Sequence, residues 1–133
     1  MGSGLMIRSL RRNDCGVCAV ANALSCSWQI AADRIFGSAF RNKLAFSTKT
    51  KQIAIALHNY APKLIRVKSW DDIPDRSVVK VMPLACEGTG SWHWVVWRDG
   101  TVWDSNYERP RSPKHYSRRR LRRLVSYLGS ARG

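Results

Sequence analysis

Between Cys15 and Leu24 the chain reads CGVCAVANAL, ten residues that are apolar or small except for Asn22. Small and apolar side chains without charge on any face predict a helix packed on all sides. Asp14 stands in front of it as a helix-capping residue, and the polar break Ser25–Cys26–Ser27 ends it. A second, shorter helix is expected over WQIAADRIF, capped by Ser27 and closed by Gly37. After the polar loop around Arg41 and Asn42, Ser47 or Thr48 can cap a third helix over KTKQIAIALHNYA. There Ile53, Ala56, Leu57 and Tyr60 recur at helical spacing and Pro62 is the stop.

Beyond Pro62 the period changes from helical to alternating. KLIRVKSW predicts a strand, DDIPD a turn, and SVVKVMPL a buried strand. GTGS follows as a loop. WHWVVW, RDGT and VWDSN then form a strand, a tight turn and a second strand, because Asp99–Gly100 suits the turns that join antiparallel neighbours. Helices first and an antiparallel sheet afterwards make an α+β fold. The four tryptophans Trp92, Trp94, Trp97 and Trp103 are expected to build core and cleft walls, with Trp92 and Trp94 shielding His93 between them.

Length and charge refine this layout. The 133 residues suffice for one core without staples. No apolar run approaches the ~20 residues of a membrane span, and the N-terminus has no apolar stretch of signal-peptide length, so a soluble cytoplasmic protein without membrane insertion is expected. The net charge of +14 is concentrated late: from Arg109 onward there are nine Lys or Arg and no acid, leaving 14 bases and nine acids before it. Residues 1–108 therefore read as the body of the fold and 109–133 as a basic C-terminal tail. Within the tail, Leu121, Leu124, Val125 and Leu128 sit at helical spacing and predict an amphipathic helix. Arg118, Arg119, Arg120, Arg122 and Arg123 form a basic patch for an acidic protein partner or for nucleic acid phosphates, the latter in a salt-sensitive way.

The candidate chemistry begins with Cys15. A thiol at the first turn of a helix lies where the helix field and unpaired N–H groups favour a thiolate, and Gly16 beside it leaves room for a substrate. The backbone N–H of Cys15 is then placed to serve an oxyanion. Of the three histidines, His93 begins a strand after the GTGS loop, His58 lies near a helix end and His115 is in the tail. Pairing about the RDGT turn brings His93 close to Asp104, which can hold the imidazole tautomer. The rival readings are a redox or zinc site, from the Cys15–Cys18 spacing. The charged segment before Cys15 does not fit the buried strand of a thioredoxin-like motif. Cys26 would lie ~16 Å from Cys15 along an unbroken helix, far for a shared metal unless the chain breaks early. Cys86 and His93 could complete a site only through a different fold. Cys18, Cys26 and Cys86 are read as core thiols, and no metal or cofactor is called for.

The sequences DCGVCAVANAL, VKSWDDIPDRSVVKV and HWVVWRDGTVWDSN, in the order Cys, His, Asp, resemble the papain-like cysteine peptidases, specifically the C39-like members that process leader peptides. The likeness spans Ser9 to Asn106. It implies a papain-like fold, a protein or peptide substrate, Cys15 as nucleophile, His93 as general base and Asp104 as the carboxylate that orients it. Two features depart from that pattern. The family's oxyanion glutamine, about six residues before the nucleophile, is replaced by Ser9, and Asn13 is the substitute candidate. The transporter segment joined to many such domains is absent from the sequence. The expected function is a small cysteine peptidase cleaving a peptide or isopeptide bond. The alternatives are a non-catalytic papain-fold binding protein that works through its basic tail, and the same triad used for deamidation or acyl transfer.

Overall fold

The computed structural model describes residues 5–57, 64–81, 93–116 and 126–130. It is α+β, with three helices packed on a four-stranded antiparallel sheet. The helices are α1 (Cys15–Leu24), α2 (Trp28–Phe36) and α3 (Thr50–Ala56). The strands are β1 (Ser77–Val81), β2 (His93–Arg98), β3 (Thr101–Trp103) and β4 (Ser126–Ser130), in the spatial order β3-β2-β1-β4.

α1 is buried from Gly16 to Ala23, as its uncharged composition requires, and lies against β2 and α2. Ser25 ends it in the left-handed conformation, φ 59°. Ser27 then caps α2 through its hydroxyl, which accepts from the Ile30 amide, and Gly37 follows at φ 71°. α3 starts later than its sequence suggests. Lys49 is the N-cap residue in place of Ser47 or Thr48, and its amide is held by Gln52 Oε1 at 2.8 Å. Thr48 is turned to another use, against Gly16. A Cβ at that glycine would fall 2.1 Å from Thr48 Oγ1, so the segment before α3 is seated on the first turn of α1. The end of the expected third helix, with His58, Tyr60 and Pro62, lies outside the described residues.

The sheet is built about the β2–β3 hairpin. Asp99 (φ 52°) and Gly100 (φ 72°) both take positive φ, the conformation of the tight turn expected there. The pairing that follows is Arg98 with Thr101, Trp97 with Val102 and Val96 with Trp103. Every residue of β2 is buried, so both faces of the sheet are covered. Trp94 and Val96 join the helices in the larger core, while Val95 and Trp97 join Trp70, Ile73, Val102 and Tyr116 on the opposite face. Trp70 stacks on Trp97 at 5.2 Å between ring centroids. Arg98 is buried at the hairpin end, with its guanidinium donating to the Asn22 carbonyl and lying over the Trp103 ring.

Two expectations are corrected. KLIRVKSW is not a strand: Leu64 and Ile65 are exposed, and only Ile65 makes an isolated bridge, to Tyr127. With one pairing residue, and only Val67 and Trp70 turned to the core, residues 64–70 gain too little from pairing to become regular strand. The second correction concerns the end of the chain. Residues 117–125, with the five arginines of the basic patch and most of the expected amphipathic helix, lie outside the described residues. The last part of that helix is instead strand β4, paired with β1. Tyr127 packs on one core and Leu128, fully buried, on the other, a period-two pattern that the leucine spacing concealed. The stretch read as a basic tail thus contributes Tyr116 to the core and an edge strand to the sheet.

Asp14 fastens the N-terminal segment to this scaffold. Its carboxylate does not cap α1. It points back along the chain, accepting from the Leu10 and Arg11 amides (2.8 and 2.9 Å), the Ser9 hydroxyl (2.7 Å) and the buried Trp28 indole (2.8 Å). Replacing it takes the acceptor from the buried Trp28 indole and from both amides, so Asp14→Ala is expected to lower stability by about 3 kcal/mol, measured as the shift in urea unfolding.

Candidate active site

Three elements converge at the end of the sheet away from the Asp99–Gly100 turn. Cys15 is the first residue of α1, His93 the first of β2, and Asp104 the first residue after β3. The hairpin register makes the latter two diagonal neighbours, which long side chains can bridge. His93 Nε2 lies 2.8 Å from Asp104 Oδ1, with the histidine 6% exposed and the aspartate fully buried. Cys15, partly exposed, lies beside the same imidazole, near enough to raise its proton affinity. With Nε2 engaged by Asp104, Nδ1 is the ring nitrogen left for the thiol. The structure therefore brings together Cys15, His93 and Asp104, the three residues singled out in the sequence.

The electrostatics follow from these contacts. Burial disfavours the charged imidazole, but hydrogen bonds to Asp104 and Cys15, with the negative charge of both, outweigh it and raise His93 from 6.5 to about 9. Asp104 is held in turn by two donors the sequence reading did not include. The Asn106 amide reaches Oδ1 at 3.0 Å and the buried Tyr116 hydroxyl reaches Oδ2 at 2.6 Å. Both place the carboxylate for His93. Tyr116 gives no local signal, standing at the head of an arginine-rich stretch, and only the return of the chain after Arg111 pairs with Val102 brings it inward.

Cys18 lies one turn beyond Cys15 in a different environment. It is fully buried, and desolvation, with the nearby Asp14 charge, pushes its thiol far above the ordinary range. Cys26 is partly buried against the core and is raised by the same cause, burial. Cys86, like Trp92 and His58, lies outside the described residues. Among the described residues no group of three His, Cys, Asp or Glu side chains is arranged to hold a metal ion. No single helix described is long and apolar enough to cross a membrane.

Around the start of α1, Cys15 is flanked by backbone and by two short polar residues, Asn13 and Ser9. The first-turn amides of α1, beginning with Cys15, have no carbonyl partner within the helix. Asn13 is exposed and left-handed, φ 58°, directly before Asp14. Ser9, at the position of the family's glutamine, has its hydroxyl on Asp14 and its amide on the Ser105 carbonyl at 3.2 Å. It latches the N-terminal segment to the residue after Asp104.

Comparison of the chain with protein-family models, curated proteins and solved structures gave no match in any of the three.

Two outcomes test this geometry. The NMR titration of the His93 ring is expected to show a midpoint near 9 in the parent and a lower one in Cys15→Ala, which removes one of the groups that raise it. Because the folded value exceeds the ordinary 6.5, His93 protonation favours the folded state. That contribution is complete below about 6.5 and is lost as pH rises through about 9. The stability advantage of the parent over His93→Gln should narrow across the same window. Separately, Tyr116→Phe removes a hydrogen bond to a charged, buried acceptor and is expected to cost about 2 kcal/mol in urea unfolding.

Proposed function

We propose that this protein is a small cysteine peptidase of the papain-like, C39-like kind, cleaving a peptide or isopeptide bond. The observation that carries the reading is the contact chain Cys15–His93–Asp104, in which a thiol at a helix start meets an imidazole held by a buried carboxylate at 2.8 Å. The unusual proton affinity of His93 supports it. A histidine that is charged at neutral pH stabilises a thiolate beside it, and the thiolate is the reactive form.

The chemistry then runs in two halves. The Cys15 thiolate adds to the carbonyl carbon, and the developing oxyanion is met by first-turn N–H groups of α1, with Asn13 as the side-chain candidate. The tetrahedral adduct collapses, the C–N bond breaks, and His93 gives its proton to the departing amine. A thioester on Cys15 remains. His93, now neutral, takes a proton from water as the water attacks the thioester, and the acid product leaves as the thiolate and imidazolium are restored. Asp104, fixed by Tyr116 and Asn106, keeps the imidazole in one orientation throughout.

One observation favours a second reading. The position six residues before Cys15 holds Ser9, and its hydroxyl is committed to Asp14. Loss of one oxyanion donor lowers rates by ~10²–10³, which suits a non-catalytic binding protein on the same scaffold. The same triad also serves deamidation or acyl transfer, where the attacked amide or the acceptor differs.

The rate of alkylation by iodoacetamide against pH, resolved for each cysteine by peptide mass spectrometry, tests the reading. Cys15 is expected to react well below pH 8 and faster than the other thiols, slowing at least about ten-fold in His93→Ala. Four thiols that titrate alike would remove the basis for a nucleophile. Hydrolysis of a peptide library that persists in Cys15→Ser would assign the activity elsewhere.

A further inference from the structure

The charged side chains divide unequally between the two ends of the sheet. Four of the described acids, Asp71, Asp72, Asp75 and Asp99, are exposed around the hairpin end, where Asp75 accepts the Asp99 amide. That end is about 17 Å from His93 by the rise of β2. At the Cys15 end, the two acids Asp14 and Asp104 are buried and occupied by hydrogen bonds. Among the described residues, the exposed charges next to them are mostly cationic, with Glu108, four residues after Asp104, as the exception. Arg11 and Arg12 follow Arg8 on the segment that Asp14 pulls onto the start of α1, and the Arg11 amide is 2.9 Å from the Asp14 carboxylate. The Arg12 carbonyl accepts the Phe46 amide at 2.9 Å, which draws in the chain that leads through Thr48, against Gly16, to exposed Lys49. Of the remaining described acids, Asp33 lies on α2, and Glu108 is a single exposed acid on the Cys15 side, followed directly by Arg109.

We propose that the mouth of the Cys15 site selects acidic stretches of polypeptide, with Arg11 and Arg12 as the residues that set this preference. The proposal rests on the reading of Cys15 as an acyl-transfer nucleophile, which is why the anion is a polypeptide: its amides offer the acyl carbon that a nucleic acid backbone lacks. Arg11 and Arg12 stand within four residues of the nucleophile. At low ionic strength, where the Debye length reaches about 30 Å, charges so close in the chain act on a substrate at the thiol with little screening. Specificity of this kind appears in KM and in the rate of encounter, and it weakens with salt.

The test compares alkylation of Cys15 by anionic iodoacetate and by neutral iodoacetamide, in the full-length parent, in Arg11→Glu/Arg12→Glu and in the control Arg66→Glu/Lys68→Glu. The control reverses two exposed bases near the acidic end, so it matches the change in net charge. At low salt the iodoacetate-to-iodoacetamide ratio is expected to fall about five-fold in the Arg11/Arg12 variant and little in the control. High salt should abolish the difference. An unchanged ratio, or an equal fall in both variants, overturns the proposal. Because the ratio cancels the intrinsic reactivity of the thiol, it answers even if Cys15 is not activated. Slow reaction with both reagents would overturn the peptidase reading alone. The polypeptide preference is read with Cys15→Ala, by fluorescence anisotropy of a glutamate-rich peptide, its glutamine counterpart and a single-stranded oligonucleotide of equal charge. Tighter binding of the glutamate peptide than of either comparator, lost on reversing Arg11 and Arg12, supports the proposal; binding of the oligonucleotide as tight as that of the glutamate peptide overturns it.

Discussion

The Asp14 carboxylate is the constraint on which the rest of the site depends. It is 2% exposed and would be costly to bury without donors, so the chain around it is arranged to supply four. Two are backbone amides of the segment before α1, one is the Ser9 hydroxyl, and one is the indole of Trp28 on α2. The same carboxylate therefore fixes the entry to α1, the approach of the N-terminal segment and the seating of α2. Cys15 is the next residue. Its position is set by a network that the thiol itself does not join, which leaves Cys15 partly exposed on a firmly held helix start.

The other half of the site is set by register. Asp99 and Gly100 at positive φ close the hairpin tightly, and each residue pair counted back from that turn is then determined. A one-residue slip would move Asp104 to the opposite face of the sheet from His93. Burial of Val95, Trp97 and Val102 on one face, and of Trp94, Val96 and Trp103 on the other, opposes such a slip. The stack of Trp70 on Trp97, with Tyr116 packed edge-on against Trp70, extends this second core toward Asp104. The hydroxyl of that same Tyr116 holds the carboxylate, so the packing that fixes the strands also fixes the charge.

Much of this could be read from the chain where the signals were local. Ser27 and Gly37 delimit α2 by capping and a left-handed stop, and Asp99–Gly100 marks the hairpin. The uncharged stretch after Asp14 could only be a buried helix. Failures arose where tertiary context decided. Leu121 to Leu128 carries helical spacing, yet Ser126 to Ser130 is drawn into the open edge of β1 as strand. Asp14 is in sequence an ordinary cap, but the indole and amides around it offer more than its own helix does. Thr48, equally suited to capping, is instead needed against Gly16, where no side chain fits. Cys15, His93 and Asp104 were legible because each marks the start or end of a strongly patterned element. Tyr116 was not, since its role depends on a long-range return of the chain.

The two cysteines of α1 show how far environment separates identical groups three residues apart. Cys18 faces the core, where burial and the neighbouring Asp14 charge both oppose a thiolate. Cys15, one turn earlier, lies at the helix start beside an imidazole whose proton affinity has been raised to about 9. Asp14 bears on Cys18 as an unfavourable charge, while its carboxylate accepts from the preceding segment and from the Trp28 indole. The C-x-x-C spacing, which in isolation suggests a pair of equivalent ligands or redox partners, is in this fold one thiol enclosed by the core and one set beside an imidazole. The difference lies in what each sulfur faces, and it follows from the single turn of helix between them.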